Sequence, residues 1–213
     1  MKTNVNQYSF FKGERGLNID ITHRCALECP RCLRQREYGG KKVPGEDISM
    51  EDFKKLARFY ENIMFCGQLS DPVHHPKFIE MLEYLYENNI TTEVHNASSL
   101  KSKSWYIKAF KANPNARWIF GIDGLPEQSH LYRVNQDGLK LYDIMVESKK
   151  YVKEVIWQYI IFNYNENNLN KAKAMAIQDG IKFMELHSSR WMSEDDPLRP
   201  SKEFNLKWKS YDK

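Results

Sequence analysis

The chain has 213 residues, 41% of them hydrophobic, enough for a sizeable core in a single domain. Its 32 Lys and Arg against 28 Asp and Glu leave a formal charge of +4, too small a bias to argue for nucleic acid. No apolar run approaches a membrane span, the opening MKTNVNQYSFFKGERG lacks the apolar stretch of a secretory signal, and the four cysteines suit a reducing compartment, so a cytoplasmic protein is expected.

In chain order, an extension over 1–16 leads into LNIDI, a strand-like run, and then into a loop carrying Cys25, Cys29 and Cys32. A polar link, REYGGKKVPGED, follows; Ser49 with Asp52 three residues later forms a capping-box signature for a helix over 50–60, with Phe53, Leu56, Ala57 and Tyr60 on one face. The apolar run 63–65 reads as a buried strand ending in Cys66-Gly67, and His75-Pro76 opens a second helix to about 86. Strands are expected over 91–95, 117–122, 155–162 and 181–186, with helical segments at 105–110, 139–152 and 168–178, the last closed by Gly180. Asn165 is expected to cap that last helix. Alternating βα units with right-handed crossovers predict an α/β fold, a partial (β/α)6 TIM-like barrel of parallel strands. The barrel core spans 17–186, and a polar tail over 187–213, with Trp191, Phe204 and Trp208, either caps it as a lid or packs outside.

In parallel βα folds chemistry gathers at the C-terminal ends of the strands. Those positions here are the cysteine loop, Cys66-Gly67-Gln68, His95-Asn96, Asp123-Gly124, Asn163 and His187-Ser188-Ser189. The cysteine spacing is C-x3-C-x2-C; thiolates so close can converge on a metal or an iron-sulfur cluster, whereas disulfides among them would close awkwardly small rings. With Cys66 as a fourth thiolate, a zinc site or an ordinary electron-transfer cluster, and hence a non-catalytic protein, is the competing reading, although Cys66 has no near partner to form a second knuckle. Around the loop, Arg24, Arg31, Arg34, Arg36, Lys41 and Lys42 outnumber Glu28, Glu37 and Glu46, a collar that reads as a solvated face or as a surface for an acidic electron donor or anionic substrate.

The cysteine motif, directly after a strand carrying Asp20 and Thr22, resembles that of the radical S-adenosylmethionine (SAM) enzymes, and the likeness runs from Leu17 to about Leu186. The resemblance implies that Cys25, Cys29 and Cys32 hold a 4Fe-4S cluster whose open iron chelates SAM. IMFCGQLSDP resembles the second strand of the peptide-modifying members, where a Gly-Gly-Glu-Pro motif meets the amino group of SAM; the acid is missing here, with Cys66, Gly67 and Gln68 in its place at the SAM site, leaving Gln68 or Asp71 for that contact. FGIDGLPEQSHLYRV resembles the fourth strand, with Gly121 in place of a serine, Asp123 and Gly124 retained, and Arg133 matching the arginine that pairs with the SAM carboxylate. Asn96 stands where the family contacts the ribose, Gln158 and Asn163 follow the fifth strand, and Arg31 offers a guanidinium for stacking on adenine. The implied reaction is reductive cleavage of SAM to a 5′-deoxyadenosyl radical that takes a hydrogen atom from a peptide or protein, or else from a small molecule. Flavodoxin or ferredoxin is the implied electron donor. Cys66 is either a buried strand cysteine or a participant in catalysis.

Overall fold

The computed structural model describes residues 15–39, 43–188 and 191–204. Six parallel strands lie in chain order: β1 (Gly16–Asn18), β2 (Asn62–Phe65), β3 (Thr91–Asn96), β4 (Arg117–Gly121), β5 (Glu154–Ile161) and β6 (Lys182–His187). Among the described residues β1 pairs only with β2 and β6 only with β5, so the barrel is open between these two edge strands. The helices are α1 (Leu33–Tyr38), α2 (Met50–Ala57), α3 (Phe78–Glu87), α4 (Lys103–Ala112), α5 (Gly138–Ser148) and α6 (Leu169–Gln178). The expected partial barrel is therefore the fold found.

Strand alternation divides the sheet into two faces. The outward residues Trp118, Phe120, Trp157 and Tyr159 are buried against the helices; Phe110 of α4 meets Trp118 edge-on with ring centroids 4.8 Å apart. Inside the barrel a layer of charge runs along the N-terminal ends of the strands. Arg117 donates to Glu93 at 2.9 Å and to Glu154 at 2.5 Å, and Lys182 pairs with Glu154. Above it Ile119, Ile156 and Met184 form a small apolar plug. The interior is thus filled below and left open above, where the loops meet.

Several boundaries differ from the sequence reading for identifiable reasons. α1 was not legible, because none of its residues is buried and it carries no apolar stripe. α3 starts at Phe78, after a 3-10 turn at Pro72–His74 in which the Val73 amide donates to the Asp71 carboxylate. Ser49 does cap α2, accepting from the Asp52 amide at 3.0 Å. Asn165 does not cap α6: it is buried, its Oδ1 accepts from the Phe162 amide at 2.8 Å and its Nδ2 donates to the Ile160 carbonyl at 3.0 Å. It locks the end of β5, and Asn168 takes the N-terminal position of the helix.

Candidate functional site

At the C-terminal edge of the sheet the loops enclose a cavity of about 150 Å³. Cys25, Cys29 and Cys32 supply one wall; Cys66, Gly67 and Gln68, at the end of β2, supply the next. Asp71, Asn96, Arg133 and Gln158 line it as well, so residues separated by more than a hundred positions in sequence converge on one space. Asp123 and Asn163 do not line it. Asp123 lies behind Arg133 and is fully buried, while Asn163 is exposed and bonds through its amide to Leu198 of the tail.

The cysteine loop is pinned at both ends. The Cys32 amide donates to the Cys29 carbonyl at 3.0 Å, closing a turn that runs straight into α1. From α1, Arg34 donates to the His23 carbonyl at 2.7 Å and to the Leu69 carbonyl at 3.1 Å, tying the loop to the one after β2. Arg34 is therefore part of the cavity wall and not of a solvated collar. Two more collar arginines are also committed: Arg24 pairs with Asp47 at 2.7 Å, and Arg31 forks onto Asp196 at 2.8 and 2.9 Å. The edge of the Arg31 guanidinium, expected to stack on adenine, is thus engaged by the tail, and Arg31 does not line the cavity. Asp196 also accepts from the amides of Met192 and Leu198, and Trp191 meets Phe162 edge-on, so residues 191–204 brace the cysteine loop from outside. Lys41, Lys42, Ser189 and Trp208 fall outside the described residues.

The walls are electrostatically tense. Burial, with the charge of Asp71 adding to it, pushes the Cys25 thiol up to about 12, and burial raises Cys29 as well. Desolvated thiols of this kind give up their protons to a metal, whose positive charge replaces the missing solvation. Among the described residues no three or more His, Cys, Asp or Glu side chains gather closely enough to hold one metal ion. The three thiols instead border a shared space, the arrangement needed when each binds a different iron of one cluster. The donor set thus fits a cluster better than the four-thiolate zinc site.

Arg133 reaches the wall from the loop after β4. Its Nε donates to Asp123 Oδ2 at 2.6 Å and one Nη points at the Cys29 sulfur at 4.0 Å. Burial pushes the Asp123 carboxyl up while Arg133 pulls it back, and Asp123 Oδ1 also accepts from the Ile160 amide at 2.7 Å. Gly121 makes room for this: a Cβ there would stand 3.0 Å from an Arg133 Nη.

Asp71, a candidate for the SAM amine, has its oxygens taken by backbone. Oδ1 accepts from the Val73 amide at 3.2 Å; Oδ2 accepts from Ala97 at 2.8 Å and Ser98 at 3.0 Å. It staples the β2 loop to the β3 loop. Asn96 likewise uses its Oδ1 on the Ser98 amide at 3.1 Å. Gly67 sits in a turn so tight that a Cβ would lie 2.0 Å from the Ser70 carbonyl oxygen.

Three residues have supporting roles that the sequence did not reveal. Asp20, at the end of β1, accepts from the Gln68 amide at 2.9 Å and the Ser70 hydroxyl at 2.5 Å, fixing the turn that holds Gly67. Gln136, buried, donates to the carbonyls of Ala97 at 2.6 Å and Gly121 at 2.9 Å, clasping the ends of β3 and β4. His95 lines the cavity with Glu93 behind it at 2.7 Å. Asp20 and His95 left a trace in the sequence as polar residues at strand ends, whereas Gln136 left none.

No protein-family profile matches the chain. A curated relative, 7,8-dihydro-6-hydroxymethylpterin dimethyltransferase from Methanocaldococcus jannaschii, is 24% identical over 179 residues, 78% of this chain and 35% of its own length. Among solved structures, SuiB of Streptococcus suis bound to precursor peptide SuiA superposes with a TM-score of 0.68 at 13% identity, covering 81% of this chain and 39% of SuiB. The enzyme anSMEcpe with bound AdoMet superposes with a TM-score of 0.62 at 16% identity, covering 82% of this chain and 51% of that one. The chain thus spans about a third of the curated relative and at most about half of these two structures. The chain shares its fold, an open barrel of parallel strands with helices outside, with both structures, and in anSMEcpe that fold carries bound AdoMet.

Proposed function

We propose that the chain is a radical SAM enzyme acting on a peptide or protein. The observation that carries this reading is the convergence on one cavity of the three motif thiols, the Cys66-Gly67-Gln68 turn and the Arg133 guanidinium. Cys25, Cys29 and Cys32 would hold a 4Fe-4S cluster, and Gly67, Gln68, Asn96, Arg133 and Gln158 would border SAM. When bound, these groups supply one electron and the 5′-deoxyadenosyl radical that takes a hydrogen atom from substrate.

The protein's own part is orientation and exclusion of water. Arg133, held in one rotamer by Asp123, presents its remaining donors to a carboxylate, which a guanidinium binds by parallel hydrogen bonds. Asp123 acts through Arg133, Asp71 acts by fixing the β3 loop, and Asn163 anchors the tail. The tight turn at Gly67 brings backbone to the cavity rather than side chain. A flavodoxin or ferredoxin in the cytoplasm completes the proposal as electron donor. Among the described residues no helix is long and apolar enough to cross a membrane.

A peptide substrate is supported by the neighbours, since SuiB is bound to precursor peptide SuiA and anSMEcpe to a Kp18Cys peptide. The name of the curated relative favours a second reading, the same chemistry on a small molecule such as a pterin. Anaerobic reconstitution with SAM and reductant tests the reading: 5′-deoxyadenosine is expected, accelerated by peptides if the first substrate class holds and by pterins if the second does. A protein that takes up zinc alone and leaves SAM intact would end both.

A further inference from the structure

Four cysteines face the cavity, but only three belong to the motif loop. Cys66 follows directly after β2, and because Phe65 pairs with Val94 at the end of that ladder, Cys66 and His95 are the next positions on the two neighbouring segments. Both side chains belong to the cavity wall. Two residues before His95, on the same face of β3, the Glu93 carboxylate accepts from the imidazole at 2.7 Å and is itself buried. Glu93 is held by Arg117 at 2.9 Å, Arg117 by Glu154, and Glu154 by Lys182. That inner ladder balances two carboxylates against two cations, so the charge of a protonated His95 is the one left facing the cavity. Burial opposes that charge, but the Cys66 and Glu93 contacts outweigh it and push the imidazole up to about 9, so it is protonated at neutral pH. Across the cavity Ile119 and Gln158 carry no charge, and the Arg133 cation is engaged by Asp123.

An imidazolium braced from behind by a fixed carboxylate, and standing beside a thiol on the same cavity wall, is a proton source for sulfur. Resting on the radical SAM reading, we propose that Cys66 is a catalytic hydrogen-atom donor of this site, its S–H quenching a carbon radical held in the cavity, with His95 as the group that restores the proton. The S–H bond breaks homolytically and a C–H bond forms at the radical carbon, leaving a thiyl radical on Cys66. One electron from a low-potential one-electron donor and one proton from His95 return the thiol, and His95 is reprotonated by water. The direction is favourable because an S–H bond is weaker than an alkyl C–H bond. The substrate carbon keeps its oxidation level and leaves with a hydrogen of solvent origin in place of its own, so the reaction class is exchange or inversion at a C–H centre.

The test uses the full chain, reconstituted, with SAM and dithionite in D2O and no substrate, so that the 5′ carbon of SAM is itself the probe. The thiol exchanges with solvent, and wild type is expected to release 5′-deoxyadenosine enriched in deuterium. The deuterium fraction in whatever 5′-deoxyadenosine is formed should fall several-fold in Cys66→Ser, whose O–H bond is too strong to donate, and in Cys66→Ala. Equal fractions in all three proteins would overturn the proposal while leaving the radical reading intact; no 5′-deoxyadenosine from wild type would end both. A second measurement is independent of turnover: imidazole NMR titration of the purified chain should place His95 near 9 and lower in Cys66→Ser. An identical midpoint in the two proteins would show that thiol and imidazole are uncoupled, and the proposal would fail.

Discussion

Replacing Asp123 by Asn keeps the size of the side chain and removes its charge. Asn can still accept from the Ile160 amide, as Asp123 does at 2.7 Å, but Arg133 loses the carboxylate that its Nε meets at 2.6 Å. The pair is shielded from water, with the Asp123 side chain wholly buried and that of Arg133 15% exposed. Removing one member of a buried ion pair costs about 3–5 kcal/mol, because the surviving charge is left without compensation. For a chain of this size each kcal/mol lowers Tm by roughly 2–4 °C, so a fall of roughly 6–20 °C is expected. Thermal unfolding followed by circular dichroism measures it, with Asp143→Ala, which breaks an exposed pair with Lys103, as a control that should change little. The remaining Arg133 donors should also lose their fixed direction, so affinity for SAM should weaken in the same variant. A Tm for Asp123→Asn indistinguishable from the control would refute the argument that this pair builds the cavity wall.

Arg133→Ala should weaken SAM binding by about 1.5–3 kcal/mol, the worth of a charge-assisted hydrogen bond, and calorimetry on a folded variant with unchanged affinity would remove Arg133 from the site. Gly67→Ala should disturb the turn next to the cysteines, since its Cβ would collide with the Ser70 carbonyl at 2.0 Å; a variant with wild-type Tm and SAM affinity would show that the turn adapts freely. Burial acts to raise the Asp196 carboxyl, but the bond from Arg31 and two backbone amides hold it down at about 2. Its contribution to stability is therefore complete above the unfolded carboxylate value of about 3.9 and is lost as pH falls through about 2. Asp196→Ala should remove that acid dependence and expose residues 191–204 to protease at neutral pH; equal cleavage rates would argue against a bracing tail. Trp118→Ala should cost about 3–5 kcal/mol from the core between sheet and helices, read by urea unfolding.

The strands and most helices were legible because their physics is local. Val155 to Phe162 is apolar enough to be a strand in any context, and Ser49 announces α2 through its own hydroxyl. The cysteine loop was legible for a similar reason, since spacing alone brings its thiols to one place. What the sequence withheld is whatever depends on a partner far along the chain. Arg31 belongs to Asp196, 165 residues away, and Arg34 to carbonyls at His23 and Leu69, so these two members of a collar that looks solvated are structural. The carboxylate of Asp71 looks free in sequence and is filled by amides from a loop 26 residues on. The placing of Cys66 near His95 follows from strand register, one position past the Phe65–Val94 pair, which the sequence implies only once the order of the strands is known.

The central claim is that the motif cysteines hold a cluster with one iron open to SAM. The most direct measurement is iron content together with the paramagnetic resonance spectrum of the reduced protein, recorded with and without SAM. The account predicts about four irons per chain, loss of the cluster in each of Cys25→Ala, Cys29→Ala and Cys32→Ala, retention in Cys66→Ser, and a spectrum that changes when SAM is added. A spectrum indifferent to SAM, with the cluster lost in Cys66→Ser, would mean that all four thiolates are ligands and that the chain is an electron carrier.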